Sequence, residues 1–143
     1  MKRTLKGFTL VELVVVIMIL GILAAVAAPK LLSTSGNATD NGLKQTLSIV
    51  RDAIELYAAD NGGALPPCTG TGADFRTALA PYIRGTFPLS PVGTKDFDVT
   101  PVTGTGATAD DLTGWMFNTD DGTFICNSSA ASSSDPATTY EDF

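Results

Sequence analysis

Glu12 is the one charged residue between positions 10 and 28, set in an otherwise apolar run. A carboxylate in bilayer hydrocarbon costs on the order of 3 kcal/mol or more, so an acid at this place calls for a partner. The chemistry open to it is electrostatic. Paired with an ammonium in low dielectric it is strongly attracted, whereas either charge alone is costly. The plainer alternative is a glutamate that reaches from a shallow position to the lipid headgroups. Three cations, Lys2, Arg3 and Lys6, precede it, with Gly7 and Phe8 following them.

Other chemistries are poorly supplied. The chain holds no histidine, which removes the commonest general base and metal ligand and excludes serine–histidine and cysteine–histidine catalysis. Asp110, Asp111, Asp120 and Asp121 could form a carboxylate-pair hydrolase, but acids adjacent in sequence usually mark exposed turns. No catalytic residue is assigned, and the expectation is a protein that is not an enzyme. The net charge is −6, and without Lys2, Arg3 and Lys6 it becomes −9, with 6 basic against 15 acidic residues. Such a body is not built to hold nucleic acid by neutralising phosphates.

The element that positions Glu12 is a helix. From Phe8 to Pro29 it would run about 31 Å at 1.5 Å per residue, close to the bilayer hydrocarbon thickness. Basic residues before it keep the N-terminus cytoplasmic and send the body outward. A secretory signal peptide also has a basic start, an apolar centre and small residues such as Ala25-Val26-Ala27-Ala28. The apolar run is longer than a usual signal core, and a signal peptide gains nothing from Glu12.

The residues KGFTLVEL, followed by an apolar helix with Gly21 and Pro29, resemble the class III signal of type IV prepilins and type II secretion pseudopilins. The resemblance implies a cut between Gly7 and Phe8 by a membrane prepilin peptidase, then N-methylation of Phe8 by the same enzyme. It implies that Glu12 pairs with the N-terminal ammonium of a neighbouring subunit and that Pro29 kinks the helix. It places the chain in the bacterial inner membrane as a single-pass protein with a periplasmic C-terminal domain, later drawn into an extracytoplasmic filament. The implied partners are copies of itself, other pseudopilins or pilins, the prepilin peptidase and the inner-membrane assembly platform. The first reading is a major-pseudopilin-like protein of type II secretion, with a repeating subunit favoured over a tip subunit because Glu12 is present. The second is a type IV pilus pilin or minor pilin for adhesion, motility or DNA uptake. The implied division is a cleaved leader 1–7, a membrane and assembly helix 8–30, and a globular domain 31–143.

The body reads as α+β. Pro29 lacks an N–H and should kink or loosen the helix. Positions 33–42, with Gly36, Asn37, Thr39, Asn41 and Gly42, make a poor helical stretch that predicts partial unwinding. Leu43, Leu47, Val50, Ile54 and Tyr57 then recur at helical spacing, with Lys44, Gln45, Ser48, Arg51, Asp52 and Glu55 largely on the other side. Asp40 and Lys44 form a favourable i,i+4 pair, and Asp60-Asn61-Gly62-Gly63 ends the helix. A short helix is predicted over 74–83, capped by Asp74. A strand is predicted over 97–102, with Pro101 confining it to an edge or an end. A hairpin pairs 114–118 with 123–126 across Thr119-Asp120-Asp121-Gly122, and Trp115 packs on the amphipathic helix. The expected fold is pilin-like: a long N-terminal helix whose C-terminal half packs on a small antiparallel β-sheet.

Two further expectations concern Cys68 and Cys126 and the late acids. With the body outside the cytoplasm the two cysteines predict a disulfide; the alternative is two unrelated small core residues. Asp120, Asp121 and Asp135, with Glu141 and Asp142 near, suggest a calcium loop. The resemblance adds that major pseudopilins carry calcium in a C-terminal loop. The alternative is a solvated turn followed by a flexible serine-rich tail over 127–134.

Overall fold

The computed structural model describes residues 7–143. Lys2, Arg3 and Lys6, and the leader that holds them, lie outside the described residues apart from Gly7. The elements are α1 (Leu10–Asp60), α2 (Ala73–Leu79), β1 (Val99–Val102), β2 (Trp115–Asn118), β3 (Phe124–Cys126) and a final 3₁₀ turn (Tyr140–Asp142). Contacts divide the chain into two compact units, residues 1–35 and 36–143.

In the first unit the chain is helical from Leu10 onward and Pro29 stands inside the helix. The described large apolar side chains from Phe8 to Leu31 are exposed, Leu13, Ile17, Leu20 and Leu23 among them. Such a continuous exposed apolar surface is unusual for a helix that stays in water.

The second unit has a conventional core. Leu43, Leu47, Val50 and Ile54 of α1 join Phe75 and Leu79 of α2 and the aromatic residues of the sheet in one buried cluster. Phe75 is its hub, 4.6 Å from the Phe117 ring centroid and 5.9 Å from that of Phe124. Trp115 is fully buried in the same cluster and donates its indole N–H to the Pro88 carbonyl at 3.0 Å. That bond satisfies the one polar atom that would otherwise make its burial costly.

The hairpin forms as predicted. Trp115 pairs with Cys126 and Phe117 with Phe124. Asn118 and Thr123 close the turn, where Gly122 takes a φ of 78°. Pro101 lies in β1, which is an edge strand. The sheet is mixed, however, not antiparallel throughout: β1 runs parallel to β2, with Val99 opposite Trp115. The loop between them has about a dozen residues, long enough to bring the chain back to the starting end, as a parallel pair requires.

Positions 33–42 are helical rather than unwound. For 36–42 the cause is tertiary. The segment around Ser133 packs so closely on Gly36 that a Cβ there would lie 2.8 Å from the Ser133 Cβ. Asp40 is 1 % exposed and accepts hydrogen bonds from the Ser132 hydroxyl (2.7 Å) and the Ser134 amide (2.8 Å). The serine-rich segment is therefore fastened to the helix, not a free tail. The Asp40–Lys44 pair is not made; Lys44 instead places its ammonium over the Phe143 ring, 4.1 Å from the centroid. Burial of Asp40 among hydroxyl and amide donors explains the loss, since those bonds meet its charge directly.

Two smaller differences follow from side-chain hydrogen bonding. Helix α2 stops at Leu79, and its N-cap is Gly72 rather than Asp74. Asp74 sits in the first turn and ties down Thr69, accepting from its amide (2.9 Å) and hydroxyl (2.8 Å). Arg51, placed on the polar face by its spacing, turns inward. It donates to the Phe124 carbonyl from Nε and Nη2 and to the Phe143 carbonyl from Nη1.

Candidate assembly site

The first turn of α1 is built by two side chains. Thr9 precedes the helix and its hydroxyl oxygen accepts the Glu12 N–H at 3.2 Å. In return Glu12 Oε2 accepts the Thr9 N–H at 2.9 Å and the Thr9 hydroxyl at 2.7 Å. This reciprocal arrangement is a capping box, in which two orphan N–H groups of the helix start are satisfied at once. A negative charge there also complements the positive end of the helix dipole. Both of these bonds go to Oε2, and among the described residues Oε1 has no hydrogen-bond partner.

Gly7 and Phe8 stand before this cap, outside any helix. Phe8 is 83 % exposed, and a Cβ placed on Gly7 would meet nothing within 4 Å. The bond between them is thus in a non-helical segment, exposed among the described residues. Behind the cap, α1 contains an 18-residue window apolar enough to cross a membrane, none of it buried within the chain.

The family described as "Prokaryotic N-terminal methylation motif" matches residues 2–28. The chain is 38% identical over 60 residues to the type II secretion system core protein G of Pseudomonas aeruginosa, covering 42% of each chain. It is 37% identical over 73 residues to the core protein G of Aeromonas hydrophila, covering 51% of this chain and 50% of that one. Against the type IV narrow pilus major component PilA5 of Thermus thermophilus it is 32% identical over 89 residues, covering 52% of this chain and 77% of the relative. The chain belongs to the type IV pilin family. Within that family its relatives include both core G proteins of type II secretion and major pilus components. It spans between about two fifths and three fifths of the length of the core G proteins it matches. No solved structure matches it.

The other candidate residues of this pilin-family chain are not gathered at the helix start. Cys68 and Cys126 are buried free thiols, so the expected disulfide is not made. The reason is topological. Cys68 Sγ lies 3.9 Å from the Val99 carbonyl on β1, while Cys126 is on β3, with β2 between. Burial pushes the Cys68 thiol up to about 12 and the Cys126 thiol up to about 11.

Asp120, Asp121 and Asp135 do not converge as a calcium loop would require, and among the described residues no three acidic or thiol groups cluster to hold a metal. Asp120 accepts from the Gly104 amide and Asp121 from the Gly106 amide, while Asp135 serves Thr138 and Ala137 in another loop. Asp110 and Asp111 likewise fasten loops, to Asn127 and to Ser129. The Thr9 contribution was readable in principle, since T-x-x-E before an apolar run is a capping-box pattern.

Proposed function

We propose that this chain is a repeating structural subunit of a type II secretion pseudopilus, and not an enzyme. The observation that carries the reading is the uncovered apolar helix with Glu12 at its head. Such a surface needs lipid first and neighbouring helices afterwards, because water cannot be its final solvent.

Processing supplies the missing partner. Hydrolysis of the Gly7–Phe8 bond leaves a carboxylate on Gly7 and an ammonium on Phe8. Methylation keeps that positive charge. Glu12 Oε2 is occupied by Thr9 of its own chain, and Oε1, without a partner among the described residues, can receive the ammonium of an adjoining subunit. The pair then sets the register in which apolar helices stack. The body would stand in the periplasm, in keeping with the basic residues before the apolar run. Its partners would be like subunits, the prepilin peptidase and the inner-membrane assembly platform, with no nucleic acid, in keeping with its acidity.

Mass spectrometry of the mature N-terminus, after co-expression with the peptidase, tests the processing. A methylated phenylalanine start is expected; a start near Pro29 would mean an ordinary signal peptide. A type IV pilus pilin is the second reading, favoured by the 77% coverage of PilA5. Complementation separates the two. Restored exoprotein secretion in a strain lacking core protein G supports the first, and pili without secretion support the second.

A further inference from the structure

The pseudopilin resemblance implies calcium in the C-terminal loops, but the oxygen atoms there are arranged for a different task. A calcium site needs six or more oxygens aimed at one point. In this chain the β2–β3 turn and the loop after β1 are joined donor to acceptor. Asn118, fully buried at the end of β2, donates from Nδ2 to the carbonyls of Gly104 (3.1 Å) and Gly106 (2.5 Å). Its Oδ1 accepts the amides of Asp120 (2.8 Å) and Asp121 (3.3 Å). Both sides of the amide are thus specified by their partners, which fixes its orientation.

The carboxylates complete the clasp. Asp120 Oδ2 accepts the Gly104 amide and Asp121 Oδ2 the Gly106 amide, each at 2.7 Å. Asp121 Oδ1 takes the Thr123 amide at 2.8 Å. The Thr123 hydroxyl, with the Gly106 and Thr123 amides, holds the Asp121 carboxyl below the usual carboxylate range. Gly104 and Gly106 have φ values of 95° and 73°, a backbone shape that glycine adopts at little cost. Amide N–H groups therefore meet the carboxylates, and the Asn118 amino group meets the carbonyls that a cation would otherwise collect.

We infer that this head closes its β2–β3 turn on the loop after β1 without calcium, with the Asn118 side-chain amide in the place of the ion. The inference is independent of the pseudopilus reading. Calcium binding would leave that reading intact, and a defect in processing would say nothing about the loops.

The test is thermal unfolding of the full chain in detergent, followed by Trp115 fluorescence, in EDTA and in rising calcium. An ion at a hundred times its Kd would raise the midpoint of so small a domain by about 10 °C or more. The expected result is one midpoint under all conditions; a saturable rise with calcium overturns the inference. Asp121→Asn supplies a second arm. It should lower the midpoint equally in EDTA and in calcium. A loss seen only in calcium would identify Asp121 as a metal ligand and likewise overturn it. Should that variant fail to fold, calorimetric titration of calcium into the unaltered chain decides the matter, no saturable heat being expected.

Discussion

Thr9 and Glu12 cap each other at the start of α1, and they do so through one oxygen of the carboxylate. The residue proposed to join subunits is thus already held by its own chain, with no hydrogen bond to its second oxygen among the described residues. Glu12→Gln retains the shape and an acceptor for Thr9 but has no charge. It should insert and be processed, yet yield no sheared filaments by electron microscopy or immunoblot. Thr9→Ala keeps the charge and loses a cap worth about 1 kcal/mol. Its filament yield should fall less than that of Glu12→Gln. Normal polymer from Glu12→Gln would remove the charge-pairing role.

What could be read in advance was local in origin. The stripe from Leu43 to Tyr57 announces a buried helical face because its period is set by helix geometry alone. The hairpin was legible because its turn residues lie between two apolar runs, and Pro101 limited β1 to an edge or an end for want of an N–H, of which the structure takes the edge. What could not be read depends on segments far apart in sequence. Arg51 has the spacing of a solvated residue, and its partners, Phe124 and Phe143, are 73 and 92 positions away. The poor helix formers from Gly36 to Gly42 are overruled by a serine segment nearly a hundred positions later. The direction of β1 rests on the path of a loop with no periodic signal. At the candidate site the glycine, phenylalanine and glutamate were legible, and the Thr9 cap was written in the same motif.

Gly36 and Gly42 separate propensity from packing. Each is a helical glycine, and replacing such a residue by alanine gains about 1 kcal/mol where space allows. A Cβ at Gly42 meets nothing within 4 Å. Gly42→Ala should therefore raise stability by roughly that amount. Gly36→Ala should lower it, because the new methyl collides with Ser133 and the serine segment must shift. Chemical denaturation of both variants checks the opposite signs, and a gain from Gly36→Ala would mean that the segment is loosely held.

Asp40 makes stability depend on acid. Burial raises its pKa, but the bonds from Ser134, Ser132 and Tyr140 outweigh that and bring it from 3.8 down to about 2. A depressed folded value means stability is fully present above the unfolded value and lost as pH falls through the folded one. The melting midpoint should fall between about pH 4 and pH 2. Other carboxylates with lowered values, such as Asp74 and Asp111, act in the same range. The wild-type minus Asp40→Asn difference isolates this residue: it should be largest near neutral pH and shrink below about pH 4. A difference that does not change with pH would show that the carboxylate charge is unimportant.

Cys68 and Cys126 should be slow to react in the folded chain. The thiolate is the reactive form, and both thiols are buried with values raised to about 12 and about 11. Cys68 is raised mainly by desolvation and further by the Asp74 carboxylate; for Cys126 desolvation outweighs the lowering bond from Ser90. At neutral pH an alkylating reagent should leave both unmodified in native protein over times at which a free thiol is fully labelled. In denaturant without reductant both should label at once, giving a mass shift of two adducts. Non-reducing and reducing electrophoresis should give the same mobility. Two thiols that stay unlabelled in denaturant until reductant is added would mean a disulfide, and β2 could not then lie between the two residues as it does here.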